Sequence, residues 1–421
     1  MSLREKIEAR SAVVAVAGLG YVGLPLAEAA AEAGFQVVGI DLDLERVEAV
    51  NAGHGANRLS ASTSYEKVSG ADVVVICVPT PLDHNRDPDL SIVRAAVAEI
   101  AGRLERAPLV VLESTTYPGT TEEEVLPRLS AGGREVGRDF HLAFSPERID
   151  PASKTHDIRT TGKVVGGVTA ECTSLAAAFY ATFIDQVVPV SSTRVAEMTK
   201  LLENIYRSVN IALVNELLLL CERMDIDIWE VIEAAKTKPF GFKAFYPGPG
   251  IGGHCIPVDP FYLSWKAREY GFHAEFIEHS GKVNEDMTIF VVDKVFDVLN
   301  EGRLPVKGTK IAVLGVAYKK DLADVRESAA LKAMKQLAKA GAELVYHDPL
   351  VAEVRLSETV LSSVPLEKAL DGASLALIIT DHSEVDYQCV VDSVPFVLDT
   401  RNVTRGLKGK ARVYIMGGGW R

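Results

Sequence analysis

Residues 13–23, VVAVAGLGYVG, restrict what this chain can fold into more than any other stretch. An uninterrupted, β-branched apolar run reads as a strand covered on both faces, and it runs straight into Gly18, Gly20 and Gly23 at the spacing G-x-G-x-x-G. The next residues, LPLAEAAAEAG, have helical composition. A strand, a glycine turn and a helix in that order open a βαβ unit. The glycines permit the turn, the approach of a pyrophosphate and close helix packing, while the helix N-terminus offers its free N–H groups to the phosphate.

The motif alone is weak, and Asp41 strengthens it. This carboxylate ends the next predicted strand, QVVGID, eighteen residues after Gly23, where it would accept hydrogen bonds from an adenosine ribose. It would also repel a 2′-phosphate, so the expected cofactor is NAD rather than NADP. Further strands, ADVVVICVP, LVVLEST, FHLAFSPE and DQVVPV, alternate with helical stretches and predict a parallel sheet with helices on both faces. Thr80 and Thr115 fall at strand ends, on the carboxyl edge where open parallel sheets bind ligands, although a hydroxyl there also serves to cap a helix.

Ser191 to Asp225 reads differently, as thirty-five residues without Gly or Pro. Met198, Leu201, Leu202, Ile205, Val209, Leu213, Leu217 and Leu220 recur at helical spacing, which predicts one long helix. Its broad apolar face is either core alone or core on one side and a dimer interface on the other. Linker composition in EGRLPVKG, 301–308, precedes a second βα series that begins at KIAVLGVAYKK. The fold class is therefore α/β, with two doubly wound sheets joined by a long central helix and a small helical piece. A chain of 421 residues is long enough for two or three such domains.

The formal charge of −12 argues against nucleic acid as a partner, so any anionic ligand must be held by a local cationic cluster. No apolar run approaches membrane-spanning length, and the charged start MSLREKIEAR lacks a signal-peptide pattern, which together predict a cytoplasmic protein. Cys77, Cys172, Cys221, Cys255 and Cys389 form an odd set without a C-x-x-C pair, as expected of reduced thiols with no structural metal.

Cys255 lies in PGPGIGGHCIPVDPFYL, 247–263, which has four glycines and four prolines in seventeen residues. A thiol in a core strand, such as Cys77, is a small hydrophobe, but a thiol in a glycine loop with a nearby lysine suits a nucleophile. Lys200 and Asn204 share a face of the long helix, where a solvated pair is the plain alternative. Asp259 follows Cys255 by four positions and Glu147 ends the strand of FSPERID. His254 is either a base or a loop hydrogen-bonder.

GLGYVG, FSPERIDP, EMTKLLENIYRSVNIALVNEL, GPGIGGHCIPVDPFYL and GVAYKKDLADVRES, in this order, resemble the nucleotide-sugar 6-dehydrogenases that act on UDP-glucose and UDP-N-acetylhexosamines. The resemblance spans essentially the whole chain. It implies a four-electron oxidation of a UDP-sugar C6 alcohol to the carboxylate with two NAD⁺. In this scheme Asp259 and Lys200 handle the alcohol proton, Cys255 forms a thiohemiacetal and then a thioester, Lys200 and Asn204 stabilise the oxyanions, and Glu147 activates the hydrolytic water. Thr115 joins the catalytic set.

By the same resemblance Lys319 and Arg401 bind the UDP moiety, Gly252 lines the sugar site, and Arg326 reaches the cofactor. Tyr21, Val22 and Arg46 complete the cofactor contacts. The implied domains are 1–190 for NAD, 191–300 for the helical piece with the cysteine loop, and 301–421 for UDP. The long helix implies a homodimer.

UDP-glucose enzymes typically read G-G-S-C-F-x-K-D and P-E-F-L, where this chain has GGHCIPVD and SPERIDP. His254, Val258 and Arg148 thus resemble the UDP-N-acetylglucosamine and UDP-N-acetylmannosamine dehydrogenases that feed bacterial surface polysaccharides, with Arg148 a candidate contact for the 2-acetamido group. Three alternatives stand: a UDP-glucose 6-dehydrogenase, a two-electron β-hydroxyacid dehydrogenase, and a non-catalytic nucleotide sensor. NADH yield separates the oxidations, at two per sugar against one or none.

Overall fold

The computed structural model describes residues 1–54, 58–83, 87–148, 157–253 and 256–421, so Cys255 and His254 lie outside the described residues. By its contacts the chain divides into two compact units. The first comprises Met1–Glu203 and Phe261–His273, the second Asn204–Pro260 and Ala274–Arg421. The two expected α/β sheets are present, one in each unit, with the long helix Thr193–Arg223 running from one unit into the other.

The first sheet has eight strands: β1 (Val13–Ala17), β2 (Gln36–Ile40), β3 (Leu59–Ser62), β4 (Val73–Ile76), β5 (Leu109–Leu112), β6 (His141–Phe144), β7 (Lys163–Gly167) and β8 (Val187–Val190). Their order is β3-β2-β1-β4-β5-β6-β7-β8. Val14 of β1 lies opposite Val37 on one side and Val73 on the other, and β4, β5 and β6 are buried along their whole length, as apolar strands between two helical layers must be. The order reverses between β1 and β4, so the loops after these strands adjoin at the point where such sheets bind ligands.

The sheet departs from a purely parallel one at β7. That strand pairs antiparallel with β6 and parallel with β8, so the last two strands oppose the first six. Neither β3 nor β7 is predicted by hydrophobic pattern. β3 is LSAS, too polar to stand out, and β7 begins on a lysine and ends on two glycines.

The second sheet is built from β9 (Lys310–Leu314), β10 (Glu343–His347), β13 (Leu375–Ile378), β14 (Phe396–Asp399), β15 (Arg412–Ile415) and β16 (Gly419–Trp420), while β11 (Glu353–Leu356) and β12 (Thr359–Ser362) form a separate hairpin. Helices Ile228–Lys236 and Glu275–Glu301 bury Trp229, Met287, Val291 and Val295 in one core with Ile311, Val313 and Leu377 of this sheet. At roughly 1.5–3 kcal/mol for each fully buried large aliphatic side chain, this shared core accounts for the cohesion of the second unit.

Asp348 ends β10 and fixes the turn after β9. Its carboxylate accepts the amides of Val316, Ala317, Leu350 and Val351, and Nε2 of the fully buried His382 lies 3.1 Å away. Nδ1 of that ring accepts the Asp321 amide, which makes Nε2 the donor to Asp348. Burial alone would raise the Asp348 carboxyl, but His382 and the backbone amides outweigh it and hold it down at about 2, against the ordinary 3.8. The folded value lies below the unfolded one, so the stabilisation is fully present above 3.8 and is lost as the pH falls through about 2. Asp348→Asn is expected to cost the second unit roughly 2 kcal/mol at neutral pH, a deficit that shrinks below about pH 4. Hydrogen exchange of the β9 and β10 amides across that range checks it.

Candidate active site

In the first unit β1 ends at Gly18, whose φ of +93° belongs to the left-handed region that glycine favours, and a Cβ there would lie 2.7 Å from the Cys77 carbonyl after β4. A Cβ on Gly23 would fall 1.8 Å from the Gly18 carbonyl, whereas one on Gly20 would meet nothing within 4 Å. Two glycines therefore close the turn and the middle one leaves it open outward. The following helix, Gly23–Glu32, starts from Val22 without a side-chain cap, so its first amides are not taken by a capping side chain. Tyr21 is exposed at the rim.

Asp41 follows β2 and accepts the Leu19 amide at 2.7 Å and the Asp43 amide at 3.0 Å. Arg46 reaches the same carboxylate at 3.0 Å and Asp43 at 3.5 Å. Burial raises the Asp41 carboxyl, but the two amides and Arg46 prevail and keep it below the usual range. An ionised acceptor beside an uncapped helix start fits a dinucleotide with a free ribose hydroxyl. Arg46 is already paired to two carboxylates, which leaves it poorly placed to welcome a second phosphate.

Thr80 is buried without capping a helix, and its carbonyl accepts the Tyr262 hydroxyl at 2.9 Å. Ser114 donates to the Val78 carbonyl, which ties the end of β5 to the end of β4. Thr115, next to it, is half-buried.

Also in the first unit, Lys200 and Glu147 are both buried, and the Lys200 ammonium donates to the Glu147 carbonyl at 2.5 Å. Arg148 is bound within the protein. Its guanidinium lies 2.7 Å from Glu203 and donates to the Gly162 carbonyl. Glu197, one turn before Lys200, accepts the amides of Gly119 and Thr121 and the Thr121 hydroxyl. Burial pushes its carboxyl up to about 7 in spite of these donors.

In the second unit the buried Asn204 amide donates to the buried Asp259 carboxylate. The glycine loop before Cys255 is pinned at several points. The Gly248 amide donates to Asn215, Thr288 donates to the Pro249 carbonyl, and the Gly253 amide donates to the Arg326 carbonyl at 2.9 Å. A Cβ on Gly252 would lie 2.6 Å from Tyr318 Cβ and 2.9 Å from the Glu327 carbonyl, and one on Gly253 would lie 2.8 Å from the Tyr318 ring. A Cβ on Gly248 would stand 2.5 Å from the Arg401 guanidinium. These glycines make room for Tyr318 and Arg401.

Arg401 donates to the Ile379 carbonyl at 2.8 Å, and Arg326 is exposed and paired with Asp324 at 2.6 Å. Lys319, next to Tyr318, is half-buried.

Sequence reasoning missed Glu113, Lys163 and Tyr180, a buried polar cluster beside Glu147 in the first unit. The available signal was an acid closing the apolar strand LVVLE and a lysine opening KVVGG.

Three domain models match in order along the chain: the NAD binding domain of the UDP-glucose/GDP-mannose dehydrogenase family over residues 12–184, its central domain over 194–286 and its UDP binding domain over 312–406. The chain belongs to the UDP-glucose/GDP-mannose dehydrogenase family. It is an NAD-dependent nucleotide-sugar dehydrogenase. The UDP-N-acetyl-D-mannosamine dehydrogenase of Pyrococcus horikoshii is 34% identical over 93% of this chain and 96% of its own length. The UDP-N-acetyl-D-glucosamine 6-dehydrogenase of Pseudomonas aeruginosa is 36% identical over 88% of this chain and 90% of its own. A solved UDP-D-ManNAc dehydrogenase from Pyrococcus horikoshii, 33% identical, superposes with a TM-score of 0.88 over 97% of this chain and 99% of that one.

For this dehydrogenase, Asp41→Ala removes the carboxylate expected to accept the ribose hydroxyls and frees Arg46. NAD affinity is expected to fall about 10- to 100-fold, the loss of one or two charge-assisted hydrogen bonds, while NADP affinity falls less or rises. Titration of each dinucleotide by calorimetry checks the changed preference.

Proposed function

We propose that the protein oxidises C6 of a UDP-N-acetylhexosamine, UDP-N-acetylglucosamine or UDP-N-acetylmannosamine, to the uronic acid in two steps through Cys255. The buried Lys200 and the buried Asn204–Asp259 pair carry this reading. Such groups are costly to desolvate on a helix face unless they serve a ligand or hold a loop. The names of relatives that match this chain almost end to end support the acetamido sugar.

Asp259 and Lys200, with a water, take the proton of the C6 alcohol. Bound NAD accepts the hydride that leaves C6 in each oxidation. The aldehyde stays in place, and the Cys255 thiolate adds to its carbon to form a thiohemiacetal. Asn204 and Lys200 donate to the oxygen that carries the developing negative charge. Loss of the second hydride leaves a thioester. Glu147 then takes a proton from water as its oxygen bonds to the thioester carbon, and the C–S bond breaks to release the uronic acid and the Cys255 thiolate. Covalent capture keeps the half-oxidised sugar on the enzyme while the dinucleotide is exchanged. Lys319 and Arg401 hold the diphosphate, Gly252 borders the sugar, Thr115 lies beside the reacting carbon and Arg326 reaches the cofactor. The product suits incorporation into a surface polysaccharide.

The long helix also supports a homodimer. Met198, Leu202, Tyr206, Leu213, Leu217 and Leu220 are all exposed, at spacings that place them on one stripe. An apolar stripe of this length facing water marks a protein contact. A second copy of the same helix is a self-complementary occupant.

Incubation with UDP-N-acetylglucosamine, UDP-N-acetylmannosamine and UDP-glucose, following NADH and product mass, tests the reading. It expects about two NADH per acetamido sugar and slower turnover of UDP-glucose; one NADH, or a preference for UDP-glucose, would overturn the corresponding part. Cys255→Ala is expected to abolish uronate formation with NAD affinity changed less than about twofold, since the thiol is the nucleophile and not a cofactor ligand. Leu213→Glu with Leu217→Glu is expected to convert a dimer to monomers, read by sedimentation.

A further inference from the structure

Lys163 opens β7, yet it is turned into the protein and is only 4% exposed. Its ammonium lies 2.9 Å from one oxygen of Glu113 and 3.7 Å from Glu147. The other oxygen of Glu113 accepts the hydroxyl of the fully buried Tyr180. Glu113 directly follows β5, and Tyr180 ends the helix Ala170–Tyr180. Three elements of the first unit therefore converge on one cation. A structural ion pair would be complete with Glu113 alone. The second carboxylate, beyond direct hydrogen-bond length, belongs to the residue assigned above to water activation.

We propose that Lys163 is a positioning residue for the hydrolytic step: anchored by Glu113 and Tyr180, it holds the Glu147 carboxylate in place to receive the proton of the attacking water. This rests on the proposed role of Glu147. The water oxygen bonds to the thioester carbon, its proton passes to Glu147, and the C–S bond breaks with its electron pair returning to the Cys255 sulfur. No further oxidant or reductant is needed, because both hydrides have already left.

The groups around Glu147 within the unit are consistent with this division of labour. Lys200 spends a hydrogen bond on the Glu147 backbone carbonyl, and Arg148 is held by Glu203 and Gly162. Cys77, at the end of β4, is a buried thiol whose burial and proximity to Glu113 keep it protonated. Burial opposes the charge on Lys163, but Glu113 and Glu147 together outweigh it and hold the ammonium protonated. Lys163 is thus a fixed positive charge beside the carboxylate, shared with Glu113.

The sharing gives opposite expectations for two variants, measured with UDP-N-acetylglucosamine. Lys163→Met removes the cation, so kcat is expected to fall about 100-fold with KM within about twofold, and the acidic limb of the kcat profile to move up by about one pH unit. Quenched enzyme should carry a covalent sugar adduct by intact mass, and Lys163→Arg should restore most of kcat. Glu113→Gln leaves the cation to Glu147 alone and is expected to move the same limb to lower pH. A structural role alone would not shift the two limbs in opposite directions.

Glu147→Gln separates the two layers of the argument. If it turns over freely without an adduct, the reading of Glu147 fails and the proposal with it. If it accumulates adduct while Lys163→Met keeps the wild-type limb, the proposal alone is overturned. Should Lys163→Met not fold, an unshifted limb in Glu113→Gln overturns it instead.

Discussion

The long helix buries a row of polar side chains, and the loops around it depend on that. Glu197, Lys200, Asn204, Ser208 and Asn215 are buried beside the apolar Leu201, Val214 and Leu218, while Met198, Leu202, Leu213, Leu217 and Leu220 are exposed. Polar groups removed from water are costly unless hydrogen-bonded, so each must find a partner. Glu197 takes the loop at Gly119 and Thr121, and Lys200 takes the carbonyl of Glu147. Asn204 takes Asp259, while Asn215 takes Gly248 and Asn284. Each of these bonds fastens a loop to the helix and at the same time offsets the desolvation of a buried polar group.

How much of this could be read from the residues follows from the kind of signal involved. The first strand, its glycine turn and Asp41 were legible because period, spacing and chemistry agree within thirty residues. The long helix was legible from its lack of Gly and Pro, and its polar residues at Lys200 and Asn204 were singled out. Which of its residues are buried was not, because periodicity reports that a helix has faces and not which one is buried. Strand β7 was missed for a related reason. Its lysine is a core residue only because Glu113 and Tyr180, fifty positions before and seventeen after it, arrive at the same place. Long-range ion pairs of this kind leave no local pattern. The glycine loop was legible from its composition, but Tyr318 and Arg401, for which it makes room, lie too far along the chain for spacing to reveal them.

The two sheets repeat one device with different outcomes. In each, the strand beside the first ends in a carboxylate that accepts amides from the first strand's loop: Asp41 for Leu19, and Asp348 for Val316 and Ala317. Asp41 keeps part of its surface and pairs with the exposed Arg46, so it can exchange a protein contact for a ribose. Asp348 has no such freedom, because His382 caps it inside the core. The same position thus stays partly open in one unit and is a buried staple in the other, and the difference comes down to one histidine from the loop after β13.

Neither unit is a continuous stretch of sequence. The chain leaves the first at Glu203, returns for Phe261–His273, and only then completes the second. The returning segment brings Tyr262, whose hydroxyl reaches the carbonyls of Thr80 and Pro81, and Lys266, which pairs with Glu123. During synthesis, the first sheet would therefore emerge from the ribosome with its ligand-side loops still unfastened, and would wait some seventy residues for the helix that locks them.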